Sequence, residues 1–172
     1  MKHTLLLIFL LSAFSLGGQT YSMKKYDIGT TGCQVYLYAE PAFEMSLSED
    51  SSEVWTGEIE KEGFFYSVIC VRFHENMQSD EQELTDLLKS YLDFLKGQFN
   101  ITASAGYGAG HRLGERTDIF GIIDFWEDAE SVQYKVMGWV NNNYLVVQVV
   151  YGATEPDYTL SNNFFQGMRF PE

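Results

Sequence analysis

The nine residues YLVVQVVYG, Tyr144 to Gly152, decide how the chain is to be read. A strand with one wet face alternates apolar and polar side chains. Here only Gln148 interrupts an apolar run, so both faces need cover and the sheet holding this strand needs a layer on each side. The run IFGIID, Ile119 to Asp124, makes the same demand.

Working outward, SVQYKVMGWV (131–140) reads as the strand before it, joined through Asn141-Asn142-Asn143, residues that tolerate positive φ and suit a tight hairpin. ITASAGYGAG (101–110) and TDIFGIIDFW (117–126) add two more strands. Toward the N-terminus, CQVYLYAEP (33–41) alternates and stops at Pro41 as a first strand, and EVWTGEIEKEGFFYSVICVRF (53–73) folds back on itself about Lys61-Glu62-Gly63.

The covers come from two segments of helical period. In SDEQELTDLLKSYLDFLKGQF (79–99), Leu84, Leu87, Leu88, Tyr91, Leu92, Leu95 and Phe99 recur at three- and four-residue steps and share one helix face. Ser79 with Gln82 reads as a capping box and Gly97 as a stop. The tail EPDYTLSNNFFQGMRF (155–170), opening on Pro156 with Tyr158, Phe164, Phe165 and Met168 at helical spacing, reads as a second, shorter helix. Any remaining cover falls to the N-terminal strands.

The first twenty residues, MKHTLLLIFLLSAFSLGGQT, have a basic Lys2, an apolar run from Leu5 to Leu16 and the small pair Gly17-Gly18, the pattern of a secretory signal cut after Gly18. The run is too short to span a bilayer comfortably, so no membrane insertion is expected after cleavage, and the product is expected to be secreted or periplasmic. A polar lead (19–31) and a single domain (32–172) follow. Without Lys2, 10 basic residues face 24 acidic ones, a formal charge of −14, which argues against nucleic acid or an anionic membrane as partner. No cofactor is implied.

Cys33 and Cys70 survive cleavage, and an oxidising compartment allows them to pair. The competing reading makes each a small buried apolar residue at strand period. Sequence leaves the two readings open, because it supplies no Cα separation.

GYGAGHRLGE (106–115) invites a nucleotide-binding reading. Both registers of Gly-x-Gly-x-x-Gly fail, since His111 or Leu113 stands where the third glycine belongs, and no Gly-Lys-Ser or Gly-Lys-Thr follows. As one extended strand, Ile101 to Gly110 places Gly106, Gly108 and Gly110 on a nearly bare face, which is expected to receive the long helix. Should a ligand lie there instead, Tyr107, Gly108, His111 and Arg112 are its nearest contacts, with Trp126 on the neighbouring strand. A competing reading gathers His74, His111, Asp124, Glu127 and Asp128 into a cation site of a metal-dependent protein or small hydrolase. No catalytic residue or metal ligand is assigned. Trp55, Trp126 and Trp139 offer a carbohydrate or peptide platform, against the commoner use of such residues as core.

The order of YLYAEP, a hairpin, one long amphipathic helix, antiparallel strands ending in YLVVQVVYG, and a closing NNFFQGMRF resembles the PsbP-like group of exported proteins. The resemblance spans Cys33 to Phe170 and implies an α+β fold: an antiparallel sheet flanked by helices in an α/β/α sandwich. It further implies a non-enzymatic binding or accessory role with a protein or small-molecule ligand. No functional residue of that group has a counterpart that can be carried over.

Overall fold

The computed structural model describes residues 22–154 and 158–172. The signal segment and Pro156 lie outside the described residues. In chain order the elements are β1 (Lys24–Asp27), β2 (Gln34–Leu37), β3 (Glu44–Leu47), β4 (Glu53–Lys61), β5 (Phe64–Arg72), α1 (Glu81–Gln98), β6 (Ile101–Ser104), β7 (Gly108–Arg112), β8 (Phe120–Asp128), β9 (Gln133–Val140), β10 (Tyr144–Gly152), α2 (Tyr158–Phe165) and β11 (Met168–Arg169). Two antiparallel sheets result. The larger runs β3-β4-β5-β10-β9-β8-β6 with β7 also paired to β8, and the smaller runs β1-β2-β11.

The strand Tyr144–Gly152 sits inside the larger sheet, between β5 and β9. On one face Ile69, Val71, Val136, Leu145, Val147 and Val149 pack with Leu84, Leu88, Leu92 and Leu95 of α1. On the other, Tyr66, Val68, Met137, Trp139, Val146 and Val150 meet Ile28, just past β1, and Val35 and Leu37 of β2, together with Phe164, Phe165 and Met168. Gln148, the one polar residue in the run, is enclosed, donates to the Phe164 carbonyl (2.7 Å) and accepts from the Trp139 indole (3.0 Å).

The expected α/β/α sandwich is therefore corrected. The fold is mostly β, and the layers run helix, sheet, sheet, with the short α2 filling beside the second sheet rather than forming a full layer. The missed layer has a physical cause. β1, KKYD, lies within the segment expected to be a polar lead; it pairs only with β2 and is exposed along most of its length, so it carries no apolar pattern to read.

Local signals resolve one by one. Glu62 (φ 56°) and Gly63 (φ 79°) form a two-residue turn with both φ positive, the type whose twist suits a hairpin. In the Asn141–Asn143 turn no residue has positive φ; instead the Asn141 side chain accepts from the amides of Asn143 and Tyr144, both at 2.9 Å. The capping box exists one residue later than expected, with Asp80 as N-cap and Glu83 as its reciprocal partner. α1 lands on a glycine, but not on the stretch 106–110: a Cβ on Gly138 of β9 would lie 2.7 Å from Leu88 Cδ1.

Candidate functional site

The stretch expected to be one strand is two. β6 pairs with β8 through Ser104, the chain leaves the ladder, and β7 rejoins β8 at Gly108 with a bulge before His111. Gly106 (φ 92°) and Gly110 (φ 92°) occupy backbone that side chains rarely adopt, which is why the alternation breaks at them. The expected landing of α1 on the glycine face is overturned. Gly108 faces Ile123, whose Cγ2 would lie 2.7 Å from an added Cβ, whereas Ala109 pairs with Ile122 on the helix side. No helix opens after β7, so the phosphate-binding arrangement of a helix N-terminus behind a glycine loop does not arise here.

Between α1 and β7 runs a trough of about 550 Å³, lined by Asp80, Glu81, Gln82, Thr85 and Lys89 on one wall and Ala109 and Gly110 on the other. Arg112 bridges to Glu81 across it at 2.8 Å while lying over the Phe120 ring. Tyr107 extends to the helix, its hydroxyl donating to the Asp93 carboxylate beside the Lys89 carbonyl. A separate depression of about 470 Å³ lies where Leu113 and Ile119 meet Met168 and Phe170.

Beneath the glycine stretch, one carboxylate ties the pieces together. Asp124 is fully enclosed and accepts from the Trp126 indole (2.7 Å), the Ser104 hydroxyl (2.8 Å), the Phe125 amide (2.8 Å), the Gly106 amide (3.0 Å) and Lys96 (3.0 Å). Burial alone pushes its carboxyl up; the bonds from Trp126, Lys96, Ser104 and the Phe125 amide outweigh it and hold Asp124 below the ordinary carboxylate value. Burial likewise pulls the Lys96 ammonium down, and its contacts with Asp124 and Tyr107 reverse the sign. Lys96 also lies 4.3 Å above the Tyr107 ring. Burial and the Asp93 bond push the Tyr107 hydroxyl up, against the pull of Lys96.

Of the residues read from sequence as ligand contacts, Tyr107 and Arg112 frame the trough, and Gly108 and His111 lie on β7. Trp126 is buried and committed to Asp124, so it is no contact surface. Trp139 is enclosed as well, and Trp55 is half-buried against the Gly29 backbone; the three tryptophans form no platform.

The carboxylates and histidines read as a cation site are not brought together. His74 follows β5 and His111 lies on β7, four strand spacings apart across the sheet, roughly 19 Å. Asp124 belongs to the bonds just described, Glu127 accepts from Gln133 (2.6 Å), and Asp128 accepts from the Glu130 and Val132 amides and from the Tyr134 hydroxyl (2.8 Å). Among the described residues no three His, Cys, Asp or Glu side chains are placed to share a metal ion. The two cysteines, by contrast, do meet. Both are buried thiols of one core, and the hydrogen bond with Cys33, then burial, pushes the Cys70 thiol well above its ordinary value.

Sequence reading missed Glu81, Lys89, Asp93 and Lys96, which supply the helix side of the site. Their signal was present: Lys89, Asp93 and Lys96 recur at helical steps along one flank of the leucine stripe, a charged row beside an apolar one. No protein-family model matches the chain, and no curated protein shows significant similarity to it.

Proposed function

We propose that the chain is an exported, non-enzymatic binding or accessory module that takes a polar ligand in the trough between α1 and β7. The observation that carries this reading is the trough itself: about 550 Å³ of open space faced by polar helix side chains and by the bare backbone of Ala109 and Gly110. A Cβ on Gly110 would meet nothing within 4 Å, so main-chain groups there are accessible to an incoming molecule. Thr85 and Lys89 line the facing wall, the Lys89 ammonium there being paired with Asp86 at 3.0 Å. The Ser104 hydroxyl is engaged by Asp124 and by the Gly106 amide, which commits it to the loop beneath the trough.

The test is a fragment screen of the exported protein by amide chemical shifts, repeated on Ala109→Trp, which fills the trough. Hits that shift Thr85, Lys89 and Gly110 and vanish in the variant support the reading. Hits confined to other surfaces refute it. Stoichiometric metal coordinated by His74 and His111 in natively purified protein would favour the competing metal-dependent reading instead.

A further inference from the structure

A second surface, independent of the trough, lies at the other end of the larger sheet. β3 is its edge: it pairs with β4 on one side and with no described residue on the other. The Ser48 amide bonds the Ser52 carbonyl (3.0 Å), closing the β3–β4 turn. Antiparallel alternation then assigns the ladder bonds to the pairs Ser46–Val54 and Glu44–Thr56, and turns the N–H and C=O groups of Met45 and Leu47 toward the open edge. The same two residues carry large apolar side chains that are 52% and 64% exposed. Unpaired backbone and unpaired apolar surface thus coincide on alternate residues, as the receiving edge in strand addition requires.

The charge around this edge selects what can lie on it. From residue 40 to residue 62 the chain carries eight acidic side chains and one basic, Lys61. Glu40, Glu44 and Glu49 are exposed and have no side-chain partner among the described residues. A second copy paired through β3 would set Glu44 and its neighbours against their own kind, at a cost in repulsion. A segment alternating basic and apolar residues meets the edge on both counts, its cations beside Glu44 and Glu49 and its apolar side chains against Met45 and Leu47.

We propose that β3 accepts an extended basic-apolar segment of a partner protein as an added antiparallel strand. The probe is a capped peptide of about eight residues alternating lysine with valine and isoleucine, long enough to span the four residues of β3. Its controls are the same composition with the lysines grouped together, and a version with glutamate in place of lysine. The alternating peptide is expected to bind and to protect the Met45 and Leu47 amides from exchange, while both controls bind at least about tenfold more weakly.

Met45→Pro removes an outward N–H without touching the β4 ladder, and is expected to weaken binding about tenfold or more. The surface double variant Glu44→Lys with Leu47→Lys is expected to do the same, and it answers the question if the proline variant fails to fold. Unprotected Met45 and Leu47 amides, equal binding of the grouped-lysine peptide, or parental affinity in the folded variants would overturn the proposal. So would a dimer in sedimentation that Met45→Pro dissolves. Shifts centred on Thr85 and Gly110 would overturn it while leaving the trough reading standing.

Discussion

Gly138→Ala tests the helix–sheet packing most directly. The new Cβ would stand 2.7 Å from Leu88 Cδ1 and 3.3 Å from Leu88 Cγ and Cδ2, where carbon pairs prefer about 3.5–4.0 Å. Leu88 is fully buried, so it has little room to retreat. Overpacking of this kind costs about 1–3 kcal/mol, against which replacing a strand glycine returns about 0.5–1 kcal/mol. The difference is about 0–2.5 kcal/mol with its middle at about 1 kcal/mol, a net loss worth about 2–4 °C in Tm at that middle value for a chain of this size. The companion change Leu88→Ala removes both the clash and a core side chain and should cost about 2–5 kcal/mol alone. In that background Gly138→Ala should become neutral or mildly stabilising, because only the backbone effect is left. Urea unfolding of the parent, both single variants and the double variant gives the coupling from midpoints at unchanged m-value. Additivity within about 0.5 kcal/mol would refute the claim that α1 rests on Gly138.

Three further outcomes follow from the same structure. After export, Cys33 and Cys70 should form one intrachain disulfide, the two thiols passing two protons and two electrons to an oxidising disulfide. Closing a loop of some 37 residues stabilises by roughly 4 kcal/mol on chain entropy, and two alkylatable thiols in denatured, unreduced protein would exclude the bond. Gly108→Val meets Ile123 Cγ2 at 2.7 Å and Gly106→Val must adopt φ near 92°; each should destabilise by about 1–3 kcal/mol, and neither should couple to Leu88→Ala. Asp124 has a folded pKa below its ordinary value, so its contribution is present above about pH 4 and is lost as pH falls through the folded pKa. The stability gap between parent and Asp124→Asn should therefore narrow in acid, and a gap constant with pH would remove the role assigned to the charge.

The long helix and the demand for two covers were legible because period and burial coincide in Leu84 to Phe99 and in Tyr144 to Gly152. The second sheet was not legible: β1 is polar, and β11 is two residues long and cannot show a period at all. For the site, Tyr107 and Arg112 could be read as contacts because they sit beside the glycines. The reach of Lys96 and Ser104 toward Asp124 depends on a break in the strand at Gly106 that alternation alone does not reveal. Trp126 was misplaced for a related reason. Its position along β8 was right, but the face it takes lies under α1.

The smaller sheet joins segments from opposite ends of the described chain, Val35 against Met168 and Gln34 against Arg169. β1 and β2 can pair as soon as both are made, but β2 gains its second neighbour only when Met168 and Arg169 reach it. Ile28, Val35 and Leu37 share their core with residues as distant as Met137, Val150 and Phe164, contacts whose sequence separation makes them slow to form. Until those contacts form, the inner face of the smaller sheet is exposed apolar surface of the kind that holding factors bind.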